Sequence, residues 1–438
     1  MPICPIPHSF NTPVEVLRFP GPSLERPWSE AARPGKAGSA RWLQVMIRSN
    51  VQSFSPLLGN SGRIMTDDTF GYGIIGCGWV ASAHAWGVTA GAAEGVRLTA
   101  VSDLDLDRAT EIAERFDAGT MYQDYREVLA RDDISAVSIC LPDFLHHQVV
   151  IEAAEAGKHV LCEKPLAMSA SQADEMIAAC DAADVSLGMI MNHRYAVDNI
   201  RIKNAITSGA VGDQLIGSVV HSSGLTGPLD TSPWRGKMNR AAGGVLSTQA
   251  IHFLDLLLWF MGPVRGVEAI TDTLHWDIQD HEDTAVLALR LKSGALATLT
   301  TTNGSPIMDD FTGTRLEIHG SDGWCVLEGD SLRHFDSKNG YALPTIEMPE
   351  VPAGASEIEF GFGHVYEVLD FIRSVRAGED APVPAADGRH LMAVIESAYR
   401  SAEEGGMVEV GETGSAYATP PPQVSLLAGL VNPRDGHS

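Results

Sequence analysis

The sequence predicts an α/β protein whose folded part opens with a doubly wound parallel sheet. Three observations carry that reading. A short apolar strand, Tyr72 to Ile75, runs into the glycine-rich turn Gly76-Cys77-Gly78-Trp79-Val80-Ala81 and then a helix. A second apolar strand, Leu98 to Ser102, ends in the acid Asp103. Strand and helix signals then keep alternating, the pattern of βα units that build a parallel sheet.

Each small residue of the turn has a physical reason. Gly76 permits the tight turn, Gly78 lets backbone approach a diphosphate, and Ala81 lets the helix pack close to the strand. The helix, with Trp79 and Val80 at its start, points its first N–H groups at that anion. Asp103 follows Gly76 by 27 residues, where a carboxylate accepts hydrogen bonds from both ribose hydroxyls of an adenine dinucleotide. Its charge repels a 2′-phosphate, so the pattern favours NAD over NADP. The other reading makes Asp103 a cap for the helix that begins near Asp105.

Further along, Val137 to Leu141 reads as a buried strand ending at Pro142, followed by a helix from His147 to Ala156. The strand His159 to Cys162 ends in Glu163-Lys164-Pro165. Ligands of doubly wound sheets sit off the carboxyl ends of the strands, so Pro142, His146, Glu163 and Lys164 are expected to face one crevice. Ser186 to Met191 reads as another strand, and a helix is expected over Leu246 to Met261. Thr284 to Arg290, a Ser293-Gly294 turn and Leu296 to Thr302 alternate like a hairpin, and Arg315 to Ile318 and Cys325 to Leu327 add strands. Helical periodicity returns in Val365 to Val375 and Leu391 to Ala402.

Composition narrows the function classes. The chain has 438 residues, 44% of them apolar and 20% charged, an ordinary globular balance long enough for two or three domains. Its 56 acidic side chains against 31 Lys and Arg give a formal charge of −25, which repels nucleic acid and anionic membranes. A small molecule is the expected partner. The six cysteines (Cys4, Cys77, Cys140, Cys162, Cys180, Cys325) are scattered, without metal-finger spacing, which fits a reducing, cytoplasmic setting and neither a disulfide framework nor a zinc knuckle. No metal is expected: the patch Asp277, Asp280, His281, Glu282 and Asp283 reads as a solvated acidic loop edge before a strand. Phe253 to Met261, interrupted by Asp255, covers about half of the ~20 residues a membrane helix needs.

The first 64 residues differ from the rest. They hold nine prolines, seven Lys or Arg and three Glu, so this segment is near +4 while the remainder is near −29. It reads either as a basic tail or transit peptide, or as upstream sequence ahead of a true start at Met65. Gly411 to Ser438, with three consecutive prolines, reads as a mobile tail.

Taken together, G-C-G-W-V-A (76–81), C-L-P-D-F-L-H (140–146), A-G-K-H-V-L-C-E-K-P-L-A (156–167), N-H-R-Y (192–195), W-R-G (234–236) and G-G-V-L-S-T-Q-A-I-H-F-L-D-L-L-L-W (243–259) resemble the Gfo/Idh/MocA family of sugar and inositol dehydrogenases. The resemblance spans about residues 70 to 410. It implies an N-terminal Rossmann dinucleotide-binding domain (65–188) and a C-terminal α/β domain (189–410) with a large open, mostly antiparallel sheet that binds substrate and builds homodimers or homotetramers.

Oxidising a secondary alcohol needs a proton acceptor at its oxygen. Lys164 suits that role, since burial and a positive nicotinamide would both lower a lysine pKa, and the resemblance gives the matching lysine substrate binding and proton transfer. His252 lies on the expected helix, with position 248 one turn earlier on the same face. Many members resembling this chain carry Asp there, acting with the histidine as a charged pair. Thr248 cannot carry that charge, so proton transfer rests on Lys164 and His252 while Thr248 positions substrate. An uncharged residue there resembles dehydrogenases of nucleotide-linked or unusual sugars. Asp255 either orients His252 or pairs inside the fold. Arg194 and Tyr195 are candidates to reach substrate or cofactor, and Trp234 and Arg235 to form a lid over a sugar face.

The resulting expectation is an NAD-dependent oxidoreductase acting on a secondary hydroxyl of a sugar, sugar derivative or cyclitol. Two alternatives stand beside it: a redox-assisted glycosidase that returns NAD unchanged, and a non-catalytic regulator sensing sugar or NAD. Net NADH accumulation separates the first two.

Overall fold

In the computed structural model, residues 69–224, 234, 237, 239–275, 281–305, 313–355 and 361–411 are described. Six strands pair in parallel: β1 (Phe70–Ile75), β2 (Val96–Ser102), β3 (Thr120–Tyr122), β4 (Ala136–Ile139), β5 (His159–Cys162) and β6 (Leu187–Met189). Their order is β3-β2-β1-β4-β5-β6. The order reverses between β1 and β4, which opens a crevice at the carboxyl ends of those strands. The connecting helices are α1 (Ala81–Ala90), α2 (Leu106–Phe116), α3 (Tyr125–Leu129), α4 (Asp143–Glu155) and α5 (Ala170–Ala183). Strands β1, β4 and β5 are buried along almost their whole length because helices cover both faces.

A 3-10 turn, Asn192–Tyr195, leads to α6 (Val197–Thr207) and β7 (Gln214–Ser222). Then come α7 (Val245–Thr248), α8 (Ala250–Met261), β8 (Val264–Asp272), β9 (Thr284–Leu291), β10 (Leu296–Thr302), β11 (Arg315–Gly320), β12 (Gly323–Glu328) and β13 (Ser331–Ser337). The chain ends in α9 (Gly363–Ala377), α10 (Ala385–Glu404) and the short β14 (Val408–Glu409). The second sheet has the order β13-β12-β11-β7-β10-β9-β8-β14 and is antiparallel except for the pair β7–β10.

Strict alternation makes this sheet one-sided. In β9, Ala285, Leu287, Leu289 and Leu291 are buried while Val286, Ala288 and Arg290 are exposed. The buried face meets α8, where Leu257 and Met261 lie against Gly217 of β7. Each aliphatic side chain buried there stabilises the layer by roughly 1.5–3 kcal/mol. Every residue of α8 except His252 is buried.

The last two helices return to the first sheet. Met189 N donates to Val383 O at 3.0 Å, and Val368, Phe371 and Ile372 of α9 share a core with Tyr72 and Ile74 of β1. The parallel sheet is thus covered in part by elements far downstream. Among the described residues, no helix is long and apolar enough to cross a membrane.

One expected element differs. The helix over 246–261 is two helices, broken at Gln249, whose φ of −126° and ψ of −50° leave the helical region. That break shapes the site.

Candidate active site

At the end of β1, Gly76 has φ +94°, and a Cβ there would sit 2.3 Å from Cys140 O, so glycine is required. At Gly78 a Cβ would meet nothing within 4 Å, leaving open space on that side of the turn. Ala81 is fully buried, Val80 stands at the start of α1, and Trp79 is 70% exposed beside the turn. The first turn of α1 has neither a side-chain cap nor an acid, so its positive end is available to an anion. Asp103 Oδ2 accepts from Cys77 N at 2.8 Å and Oδ1 from Asp105 N at 2.9 Å. The cap of α2 is Asp105, which accepts from Asp107 N, and not Asp103. These residues fit a dinucleotide: an open glycine turn, an uncapped helix start and a carboxylate at the tip of β2.

The other side of the crevice is built from the ends of β4 and β5. Pro142 starts α4, and Glu163 and Lys164 follow β5 directly. The Lys164 ammonium donates to Thr248 O at 2.7 Å. In an unbroken helix that carbonyl would accept from His252 N, four residues on. Because the helix breaks at Gln249, His252 N donates to Gln249 O instead, at 3.3 Å, and the Thr248 carbonyl is left for Lys164. One backbone irregularity thus brings the lysine to the turn that carries His252.

Charge organises this cluster. His252 Nδ1 is buried without a hydrogen-bond partner. Burial, then the Lys164 ammonium and His193, hold its pKa well below the ordinary histidine range, so the ring is neutral at pH 7. The His193 ring lies 4.9 Å from it, centroid to centroid. Glu163 Oε1 lies 3.0 Å from His84 Nε2 and 3.5 Å from His364 Nε2. Burial alone would raise the Glu163 pKa, but hydrogen bonds from His364 and His84 hold it well below the usual carboxylate value. His84 is fixed from behind by Ser138 Oγ at 2.8 Å, which in turn meets Tyr72 OH at 2.8 Å.

Residues 70–191 match the family described as "Oxidoreductase family, NAD-binding Rossmann fold", and residues 200–326 match the "GFO/IDH/MocA C-terminal domain". The chain belongs to the Gfo/Idh/MocA oxidoreductase family. NAD is its cofactor. Myo-inositol 2-dehydrogenase of Thermotoga maritima is 28% identical over 353 residues, covering 78% of this chain and 98% of that protein. D-apiose dehydrogenase of Paraburkholderia graminis is 26% identical over 375 residues, covering 85% and 97%. Among solved structures, the WlbA dehydrogenase of Bordetella pertussis, in complex with NADH and UDP-GlcNAcA, superposes with a TM-score of 0.70 at 26% identity, covering 80% of this chain and all of that one.

Within this family fold, several expected site residues turn out to be structural. Arg194 is 3% exposed; its Nε and Nη2 bond to Asp255 at 2.7 and 2.5 Å and its Nη1 to Asp387 at 2.9 Å, so it is not available to substrate. Asp255 therefore pairs inside the fold and does not orient His252. Tyr195 is equally buried, with its hydroxyl on Asp370 Oδ2 at 2.9 Å. His146, expected to line the cofactor crevice, has no exposed surface, and both ring nitrogens face carbonyls, Leu141 O at 2.8 Å and Pro165 O at 2.9 Å. It ties the two crevice loops together from beneath. The Thr248 hydroxyl donates to Gly244 O at 2.8 Å, which leaves its lone pairs to accept from a substrate hydroxyl.

The described part of the acidic patch is not solvated either. Glu282 and Asp283 are buried; Glu282 accepts from Gly244 N, Leu246 N and Tyr399 OH, and Asp283 from Leu274 N and His275 N. Asp277 and Asp280 lie outside the described residues, as does Arg235. Trp234 is half-buried in a bend. Among the described residues no group of three His, Cys, Asp or Glu side chains is arranged to hold a metal ion.

His193 is the residue the sequence reading missed, and His84 and His364, which that reading left without a place in the crevice, flank Glu163. His193 stood in the N-H-R-Y motif, one position before the arginine chosen there.

Proposed function

We propose that the protein oxidises, reversibly, a secondary hydroxyl of a sugar, sugar derivative or cyclitol, with Lys164 and His252 handling the hydroxyl proton. The observation that carries this is the Lys164–Thr248 contact, which sets an ammonium beside a neutral imidazole at the carboxyl edge of the parallel sheet. NAD, bound along the glycine turn, supplies the hydride acceptor. The Lys164 ammonium stabilises negative charge developing on the reacting oxygen. His252, held neutral, has a ring lone pair to accept the proton. Thr248 Oγ1 accepts from a neighbouring hydroxyl, and Gly76, Gly78, Trp79, Val80, Ala81 and Asp103 hold the dinucleotide. Glu163, fixed between two histidines, sets the backbone from which Lys164 projects and lines the cofactor side with Pro142. Inositol, apiose and UDP-linked sugar ligands named for the relatives support a polyhydroxylated ring as substrate.

The test is a panel of free sugars, cyclitols, sugar acids and glycosides with NAD, read by NADH absorbance. NADH formation with a polyol ring supports the reading. Glycoside cleavage without net NADH replaces it with the redox-assisted glycosidase.

We further propose a cytoplasmic homo-oligomer with a cofactor unit over 65–188 and a substrate unit over 189–410. The described cysteines, Cys77, Cys140, Cys162, Cys180 and Cys325, are free thiols, as a reducing setting requires. The outer face of the second sheet exposes Ile216, Val220, Ile270, Val286 and Leu296, a patch suited to self-association. Light scattering giving a monomer mass would remove this part. The charge of −25 supports a small-molecule partner over nucleic acid or a membrane surface.

A further inference from the structure

We propose that His193 and Asp330 form an outlet through which a proton taken up by His252 leaves the site; this rests on the functional reading above. Three elements contribute: α8, the turn Asn192–Tyr195, and the connection between β12 and β13.

His252 needs an outlet. It is the one residue of α8 that keeps part of its surface exposed, while its Nδ1 is enclosed and has no hydrogen-bond partner. The ring beside it is His193, 4.9 Å away between centroids and tilted by 52°. His193 Nδ1 lies 2.9 Å from Asp330 Oδ1. A carboxylate only accepts, so Nδ1 donates, and the acceptor nitrogen Nε2 is placed on the opposite edge of the ring. Asn199 fixes both members, donating through Nδ2 to His193 O and to Asp330 Oδ1, each at 2.8 Å.

The far end reaches solvent. The His193 side chain is 6% exposed and that of Asp330 is 32% exposed. Asp330 lines a cavity of about 340 Å³ together with Asn192, Tyr195, Phe362 and Tyr366. Exposure therefore rises along the path from imidazole to carboxylate.

The proton count closes. The hydroxyl proton binds a ring nitrogen of His252 and passes to His193 Nε2. The His193 Nδ1 proton moves onto Asp330, and water at the cavity takes it. One proton enters, one leaves, and no electrons travel along the path. The charged and titratable groups around His252 and His193 are Lys164 and Glu163 after β5, His221 of β7, His364 of α9, and Asp330 itself. The Lys164 ammonium outweighs the Glu163 carboxylate, disfavours a proton held on His252 and so favours its passage outward.

Two experiments test this. In the first, imidazole resonances are followed by ¹⁵N NMR against pH without cofactor or sugar. Asp330→Asn is expected to shift the His252 midpoint, because the His193 ring that Asp330 holds lies 4.9 Å from that of His252. A His252 titration indifferent to Asp330→Asn overturns the proposal, whatever the substrate proves to be. In the second, with the panel compound that yields NADH, His193→Ala is expected to lower kcat on the order of 10²-fold with KM little changed, and free imidazole to restore part of the loss. Unchanged kcat, or a loss in kcat and KM together that imidazole does not relieve, refutes the relay. Should no panel compound yield NADH, the functional reading fails while the NMR result still decides the coupling.

Discussion

The Lys164 ammonium meets the Thr248 carbonyl at 2.7 Å across the break between α7 and α8, and this contact joins the two parts of the site. It depends on Gln249 leaving helical geometry, which Ser223 supports by donating from Oγ to Gln249 Oε1 at 2.8 Å. Gln249→Ala removes that support and introduces the strongest helix former. Healing the helix would return Thr248 O to His252 N and strip Lys164 of its acceptor. Steady-state kinetics of Gln249→Ala should show kcat reduced about tenfold or more, consistent with a displaced proton-handling group, at unchanged thermal stability.

The glycine turn separates folding from binding. Gly76→Ala forces a positive φ on a residue with a Cβ that meets Cys140 O at 2.3 Å, and should cost at least about 1–3 kcal/mol in denaturant unfolding. Gly78→Ala meets no atom and should leave the unfolding midpoint unchanged, while filling the approach to the diphosphate. Calorimetric titration with NADH should show affinity weakened about tenfold or more for Gly78→Ala, the equivalent of roughly 1.4 kcal/mol.

Stability should peak near neutral pH, for two opposed reasons. Burial, with a lesser contribution from His193 for the first and from Lys292 and Arg389 for the second, pushes His221 and His390 down from 6.5 to about 4. Between those values the unfolded chain binds the protons and the native chain does not, so stability rises with pH, by up to about 1.4 kcal/mol per unit for each histidine. His146 behaves in the opposite sense. Burial lowers its pKa, but Cys162, Asp143 and the Leu141 carbonyl outweigh that and push it up to about 10. The native chain then keeps a proton that the unfolded chain releases, and stability falls as pH rises from 6.5 towards 10. Thermal melts from pH 4.5 to 9.5 should show both limbs, and His146→Gln should flatten only the alkaline one.

Arg194 offers a test of a structural assignment. Arg194→Met leaves Asp255 and Asp387 buried without their cation and should destabilise the fold by about 3–5 kcal/mol. Molecules that remain folded should keep the native KM for sugar. A raised KM at native stability would return Arg194 to the substrate site.

What the sequence disclosed follows the range of the forces involved. The glycine turn, the apolar runs of β1, β2 and β5 and the alternation of β9 and β10 are local patterns and were readable within a few residues each. Strand β7 was not, because its partners β10 and β11 lie some 80 residues and more downstream. The break at Gln249 has no local signal either: Ser247, Thr248, Gln249 and Ala250 include neither Pro nor Gly, and Ser223 and Lys164 act from far away. In N-H-R-Y the arginine drew attention as a ligand, but its fate is decided by acids 61 and 193 residues downstream, while His193 acquires meaning only through Asp330, 137 residues away.

The most direct measurement is NADH formation by Lys164→Met, paired with its affinity for NADH, on whichever ring polyol the native enzyme oxidises. Turnover should fall on the order of 10³-fold while cofactor affinity stays within about threefold of native. Undiminished turnover by a protein lacking this ammonium would contradict the site described above.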